Sequence, residues 1–199
     1  MSDLFERWSS TYDDAALQRF TYRTLHDAVV TIASSQRPGT ILDVGCGTGQ
    51  LTRRLTRLDW APTVYGLDVS TGMLDRARHC GAPLIRASAE ALPIADHSIE
   101  LITCTESFHW YTDQRAAAAE FARVLRPGGQ VAIISIATFT DVGASLLRRA
   151  TAGRSTIRAL PPHQIRAVLA AAGLMVHEQR RVRRPTPPWP TLTRAGRNG

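Results

Sequence analysis

The sequence predicts an α/β fold: a doubly wound, mostly parallel sheet with helices on both faces, in a single domain. Three observations predict it. Short apolar runs alternate with segments of helical periodicity along most of the chain. The run QVAIISIA at 130–137 is continuously apolar, as a strand covered on both faces must be. The first strand candidate, Thr40 to Val44, runs directly into Gly45-Cys46-Gly47-Thr48-Gly49, a glycine-rich turn before a helix.

The elements follow in order. Leu25, Ala28, Val29 and Ile32 form a helical stripe that Pro38-Gly39 stops. After the strand Thr40 to Val44, Leu51, Leu55 and Leu58 mark a helix from Gln50 to Leu58. Thr63 to Val69 reads as a second strand, Thr71 to His79 as a helix, and Pro83 to Arg86 as a weak third strand. Ile99 to Cys104 is a fourth strand. Ala117, Phe121, Val124 and Leu125 place a helix over Asp113 to Arg126, ended by Pro127-Gly128-Gly129, and Gln130 to Ala137 is the fifth strand. Between 138 and 160 only a short helix near Val142 to Arg149 suggests itself. A helix starts at Pro162, a favoured first position, and stops at Gly173. Leu174 to Val182 reads as a late strand, and Thr191 to Thr193 as a short edge strand or part of a frayed tail. These divisions give N-terminal helices over 1–37, the main domain over 38–183 and a proline-rich basic tail over 184–199.

Composition narrows the function. The 199 residues are 44% hydrophobic and 21% charged, which suits one globular domain rather than a disordered polyelectrolyte. No apolar run reaches the roughly 18–20 residues that cross a bilayer. MSDLFERWSS lacks an export-signal pattern, so a cytoplasmic location is expected. Cys46, Cys80 and Cys104 have no metal-ligand spacing, so no metal is expected and a reducing compartment is. All 24 basic residues are arginine, which excludes Schiff-base lysine chemistry and a P-loop lysine. Charge is uneven: residues 1–120 carry 11 arginines against 15 acids, and residues 121–199 carry 13 against 2. Such a basic half reads either as a solvated face or as attraction to an acidic partner.

The glycine turn carries the chemistry. Its glycines run G-x-G-x-G, at 45, 47 and 49, not the G-x-G-x-x-G of a dinucleotide site. Asp68, at the end of the next strand, sits where a carboxylate can accept both hydroxyls of a ribose. Asp43, two residues before the first glycine, would oppose a pyrophosphate but favour an ammonium group. A ligand with a ribose, a positive charge and no pyrophosphate is S-adenosylmethionine.

LDVGCGTG at 42–49, YGLDVSTGMLDRAR at 65–78, ASAEALPIADHSIELI at 87–102 and FARVLRPGG at 121–129 together resemble the class I S-adenosylmethionine-dependent methyltransferases. The branch resembled includes the ubiquinone- and menaquinone-biosynthesis enzymes and many small-molecule methyltransferases. The resemblance implies a Rossmann-like sheet, with S-adenosylmethionine as cofactor and S-adenosylhomocysteine as product. It places Asp43 and the backbones of Gly45, Gly47 and Gly49 at the methionine end. It places Asp68 on the ribose, with Val69 and Met73 along the adenine. Met73 reads equally as a core residue. Ser88 and Ala89 match the pair at the adenine edge, where relatives often have aspartate and the shorter, neutral Ser88 makes a weaker contact. Thr105 matches a backbone contact to the methionine portion. FERWSSTYDD resembles the family's lid helix, with Tyr12 its closing aromatic.

The acceptor side is read from Glu106 to Tyr111, which follows the fourth strand where the methyl group must meet its acceptor. His109 is the candidate base, with Glu106 second; His26 and the remaining histidines read as filler. Few residues follow the fifth strand before Pro162, so the acceptor pocket is open or completed by a second copy in a homodimer. The reading is methyl transfer to a small organic or lipid-like acceptor. A nucleic-acid methyltransferase, disfavoured by the lack of stacking aromatics, and a non-catalytic S-adenosylmethionine-binding protein are its alternatives.

Overall fold

The computed structural model describes residues 22–136, 157–183 and 189–197. Tyr12, the expected lid helix and the expected short helix at Val142 to Arg149 lie outside the described residues.

Helix α1 (Arg23–Gln36) buries Leu25, Val29, Ile32 and Ala33, one face of a 3.6-residue period. It ends as Arg37 turns left-handed and its N–H bonds the Ala33 carbonyl, one residue before Pro38. β1 (Thr40–Val44), α2 (Gln50–Leu55), β2 (Thr63–Asp68), α3 (Thr71–Ala77) and β3 (Leu84–Arg86) follow in the expected order. Both helices are shorter than their periodicity suggests. Past Leu55 the bonds tighten to three-residue spacing, from Arg57 N–H to Arg54 and from Leu58 N–H to Leu55.

β4 (Ile99–Thr105) leads through a 3₁₀ turn at Phe108–Trp110 to α4 (Gln114–Val124) and β5 (Leu125–Ser135). Asp113 caps α4 by accepting from the Arg115 and Ala116 N–H groups at 2.9 and 3.0 Å. The helix expected to reach Arg126 stops at Val124. Proline disfavours a helical conformation in the residue before it, so Pro127 forces Arg126 out, and the chain is already extended at Leu125 (ψ 130°). Residues 126–129 then bulge out of the β4–β5 ladder, which resumes at Leu101 opposite Gln130.

α5 (Pro162–Ala171), β6 (Leu174–Arg181) and β7 (Thr191–Arg197) complete the chain. The sheet order is β3-β2-β1-β4-β5-β7-β6, with β1 to β5 parallel and β7 antiparallel to both of its neighbours. Here the structure corrects the sequence reading: β7 is an interior strand, not a short edge strand or a frayed tail. Leu192, Thr193 and Ala195 are fully buried. Its polar residues find partners across the ladder: Arg194 pairs with Glu178, and Thr193 Oγ1 accepts from Gln179.

Two cores flank the sheet. Alternate residues of one strand face opposite ways, so Leu42, Ile102 and Ile133 pack under α4 and α5, while Ile41, Leu101 and Ile134 pack under α1 and α2. The order of winding reverses between β1 and β4, and ligand clefts of such sheets open at the carboxyl ends of the strands beside that point.

Candidate functional site

A cavity of about 290 Å³ opens at those carboxyl ends. The turn after β1 forms its floor. The N–H groups of Gly45 and Cys46 both bond the Leu67 carbonyl, at 2.7 and 3.0 Å, drawing the turn against the end of β2. Gly45 is left-handed (φ 73°), and a Cβ there would lie 2.4 Å from Ser107 Cβ, so only glycine lets the β1 and β4 turns close on each other. A Cβ at Gly47 would meet nothing within 4 Å, because that position faces open space.

Asp68 ends β2 at the cavity wall. Its Oδ2 accepts from Gly47 N–H and its Oδ1 from Ser70 N–H, both at 2.9 Å. Burial raises its pKa, and the bonds from Ser70 and Gly47 oppose that rise. A carboxylate fixed at both oxygens retains lone pairs for two ligand hydroxyls. Val69, 49% exposed, and the buried Met73 give the same wall an apolar surface. Ser88 and Ala89 line the cavity beyond them, and the Ser88 hydroxyl accepts from Glu90 N–H at 3.2 Å.

Asp43 lies beneath the turn, facing a smaller space of about 40 Å³ that shares Tyr22, Gly45, Gly47 and Thr105 with the larger cavity. Its oxygens accept from Thr52 at 2.7 Å and Thr103 at 2.8 Å. Burial pushes its pKa up to about 6 against those two hydroxyl bonds. Asp43 therefore supplies negative charge from below rather than an open carboxylate. Thr105 lines both spaces, and its buried Oγ1 has no hydrogen-bond partner among the described residues. Gly49 lines neither. A Cβ there would lie 2.8 Å from Cys80 Cβ and 3.0 Å from Ala77 Cβ, so it serves the packing of α2 on α3 rather than the cleft.

On the acceptor side, Glu106 and His109 both line the cavity. Glu106 holds a left-handed backbone (φ 55°), which is strained for a non-glycine residue. His109 is 2% exposed, and its Nδ1 lies 3.1 Å from Ser135 Oγ. Burial pushes its pKa down to about 4. The imidazole is thus neutral at physiological pH and a weaker base than an ordinary histidine, which titrates at about 6.5.

Ser107 and Tyr111 complete this side, and neither was singled out from the sequence as a cofactor or catalytic residue. Ser107 Oγ donates to the Val44 carbonyl at 3.0 Å and meets Tyr111 OH at 3.1 Å, with Cys104 Sγ close to both. Burial pushes the Cys104 thiol up to about 11 and Tyr111 well above its ordinary value, so both remain protonated. Sequence reading also missed Tyr22 and His26, which the start of α1 brings to the smaller space.

An exposed apolar wall at Val69, an anchored carboxylate at Asp68, an open glycine at Gly47 and an orphaned hydroxyl at Thr105 thus meet at one cleft.

The methyltransferase-domain family matches residues 42–133. A malonyl-acyl-carrier-protein O-methyltransferase of Dechloromonas aromatica is 39% identical over 85% of this chain and 63% of its own length. One from Geobacter sulfurreducens is 34% identical over 85% of this chain and 67% of its own. The chain spans about half to two thirds of the length of the curated relatives it matches. A solved Thermotoga maritima S-adenosylmethionine-dependent methyltransferase superposes with a TM-score of 0.79 at 20% identity, covering 100% of both chains. With a family match that runs from β1 to β5 and relatives of this identity, the chain belongs to the class I S-adenosylmethionine-dependent methyltransferase family, and S-adenosylmethionine is the cofactor that membership implies.

Proposed function

We propose that the chain transfers the methyl group of S-adenosylmethionine to a small organic or lipid-like acceptor seated against residues 105–112. The acceptor proposed is a carboxylate of the malonyl-thioester kind named for its relatives, presented on an acyl carrier protein. The observation that carries the reading is Asp68, tied to Gly47 and Ser70 at the edge of the cavity.

When bound, the cofactor supplies an electrophilic methyl on a sulfonium, and it leaves as the neutral thioether S-adenosylhomocysteine. The protein's share is placement. Asp68 accepts the ribose hydroxyls, Val69 and Met73 flank the adenine, and Ser88 and Ala89 meet its edge. Gly45, Gly47 and Thr105 border the methionine portion, with the charge of Asp43 below its ammonium. A carboxylate acceptor is already ionised and gives up no proton. His109, neutral and bonded to Ser135, therefore acts as an orienting group rather than a general base, which favours such an acceptor over a neutral hydroxyl. Glu106 borders the same acceptor space.

The basic half supports a nucleic-acid acceptor less than its charge suggests, because Arg123, Arg126, Arg180 and Arg194 are engaged with Glu120, Asp96, Glu100 and Glu178. Among the described residues no helix is long and apolar enough to cross a membrane. Three free, buried cysteines support a reducing, cytoplasmic setting. A homodimer that completes the acceptor pocket belongs to the same proposal.

The test is transfer of a labelled methyl group from S-adenosylmethionine to malonyl-acyl-carrier protein, with an RNA pool in parallel. Label in a base-labile malonyl ester is expected. Label in RNA alone would replace this reading with the nucleic-acid one. Cofactor binding with no transfer to either would leave the acceptor unsupported and favour a binding protein.

A further inference from the structure

Tyr22 and His26 sit one turn apart at the start of α1, on the border of its buried stripe, so both point to the same side. Their rings lie 6.3 Å apart, centroid to centroid. They line the small space between α1 and the β1 turn, together with Asp43, Thr48 and Thr105. The Thr105 hydroxyl in the same space is buried with no hydrogen-bond partner among the described residues. A hydroxyl aimed at that space and left unsatisfied costs stability unless something binds there.

The charges beside that space are arranged around His26. Asp27, next to it in sequence, is held by Arg54 of α2 at 2.5 Å, which ties the two helices together at this point. Burial, followed by the nearby Arg54, pushes the imidazole down to about 4. His26 therefore meets a ligand as a neutral ring, donating one N–H. Asp43, across the space, carries negative charge. A neutral donor facing an anion fits a zwitterion, with its ammonium toward Asp43 and its carboxylate toward His26 and Thr105.

We infer that His26 is a cofactor-binding residue whose imidazole donates to the α-carboxylate of the amino-acid end of S-adenosylmethionine, with Tyr22 holding its ring. The inference rests on the proposed placement of that cofactor in the cleft. It gives the helix before β1 a direct part in ligand recognition.

The test compares two ligands by calorimetry. S-Adenosylhomocysteine carries the amino-acid end, while 5′-methylthioadenosine has the same nucleoside without it. His26→Ala should weaken S-adenosylhomocysteine about tenfold, the effect of losing one hydrogen bond to a charged group. It should leave 5′-methylthioadenosine within about twofold. His26→Gln, which keeps an N–H donor, should recover part of the loss. Equal weakening of both ligands in His26→Ala and His26→Gln would make His26 a packing residue and overturn the inference, as would unchanged affinity for both. Failure of the unaltered protein to bind either ligand would overturn the placement of the cofactor itself, and the inference with it.

Discussion

Asp68 and His109 mark the two ends of the proposed reaction, and each makes a distinct prediction. Asp68→Ala removes the acceptor for both the ligand ribose and the Gly47 N–H. Hydrogen bonds to charged groups contribute about 1.5–3 kcal/mol each, so S-adenosylhomocysteine affinity should fall by at least tenfold in calorimetry while the protein stays folded. Unchanged affinity would remove Asp68 from the ribose. His109 titrates near 4 in the folded protein and near 6.5 when unfolded. The unfolded chain therefore takes up a proton first as pH falls, and stability drops from about pH 7 toward pH 4 by up to about 3 kcal/mol. Asp43 has the opposite sign. Its folded pKa, raised to about 6, lies above the ordinary value of 3.8, so protonation below 6 favours the folded state and offsets part of the loss. Urea unfolding at pH 7 and pH 5 should show a smaller loss in His109→Gln than in the unaltered protein. An equal loss in both would place the titration elsewhere, with His26, shifted the same way, next to examine. The sequence pointed to Asp68 and His109 because each follows a strand at an expected place. It read His26 as filler because nothing near it in the chain shows that α1 meets the glycine turn.

At the scale of elements, α4 carries the core under one face of the sheet. Phe121 is fully buried and stacks 6.5 Å from Phe108, which precedes His109. Phe121→Ala should cost about 3–5 kcal/mol, read as a lower denaturation midpoint with little change in slope. Asp113→Ala, which uncaps the same helix, should cost about 1 kcal/mol. A cost for the cap exceeding that of the core residue would contradict the packing described. α4 and α1 were legible from their stripes. The end of α4 was not, because the effect of Pro127 on Arg126 competes with a helical pattern that continues through Leu125.

At the scale of the molecule, β7 decides whether the sheet is whole. It lies between β5 and β6, bonded to both. Deleting residues 191–199 should therefore leave β6 without a partner strand and open one edge of β5, and yield an insoluble or unfolded chain by circular dichroism, whereas a soluble, cooperatively folding product would contradict the interior placement. The sequence by itself determined the alternation of strands and helices from Thr40 to Ser135. It also determined the glycine turn and the carboxylate at Asp68, because those signals are local: periodicity, turn chemistry and strand ends are written within a few residues. Only the tertiary structure decided that a polar, glycine-containing segment at Thr191–Arg197 is an interior strand. It also decided that Asp43 is held by hydroxyls 9 and 60 residues away, that Gly49 packs helices instead of lining the cleft, and that α1 brings His26 to the space under the β1 turn. Each of these depends on partners distant in the chain, whose contribution arises when they meet and leaves no pattern in the sequence between them.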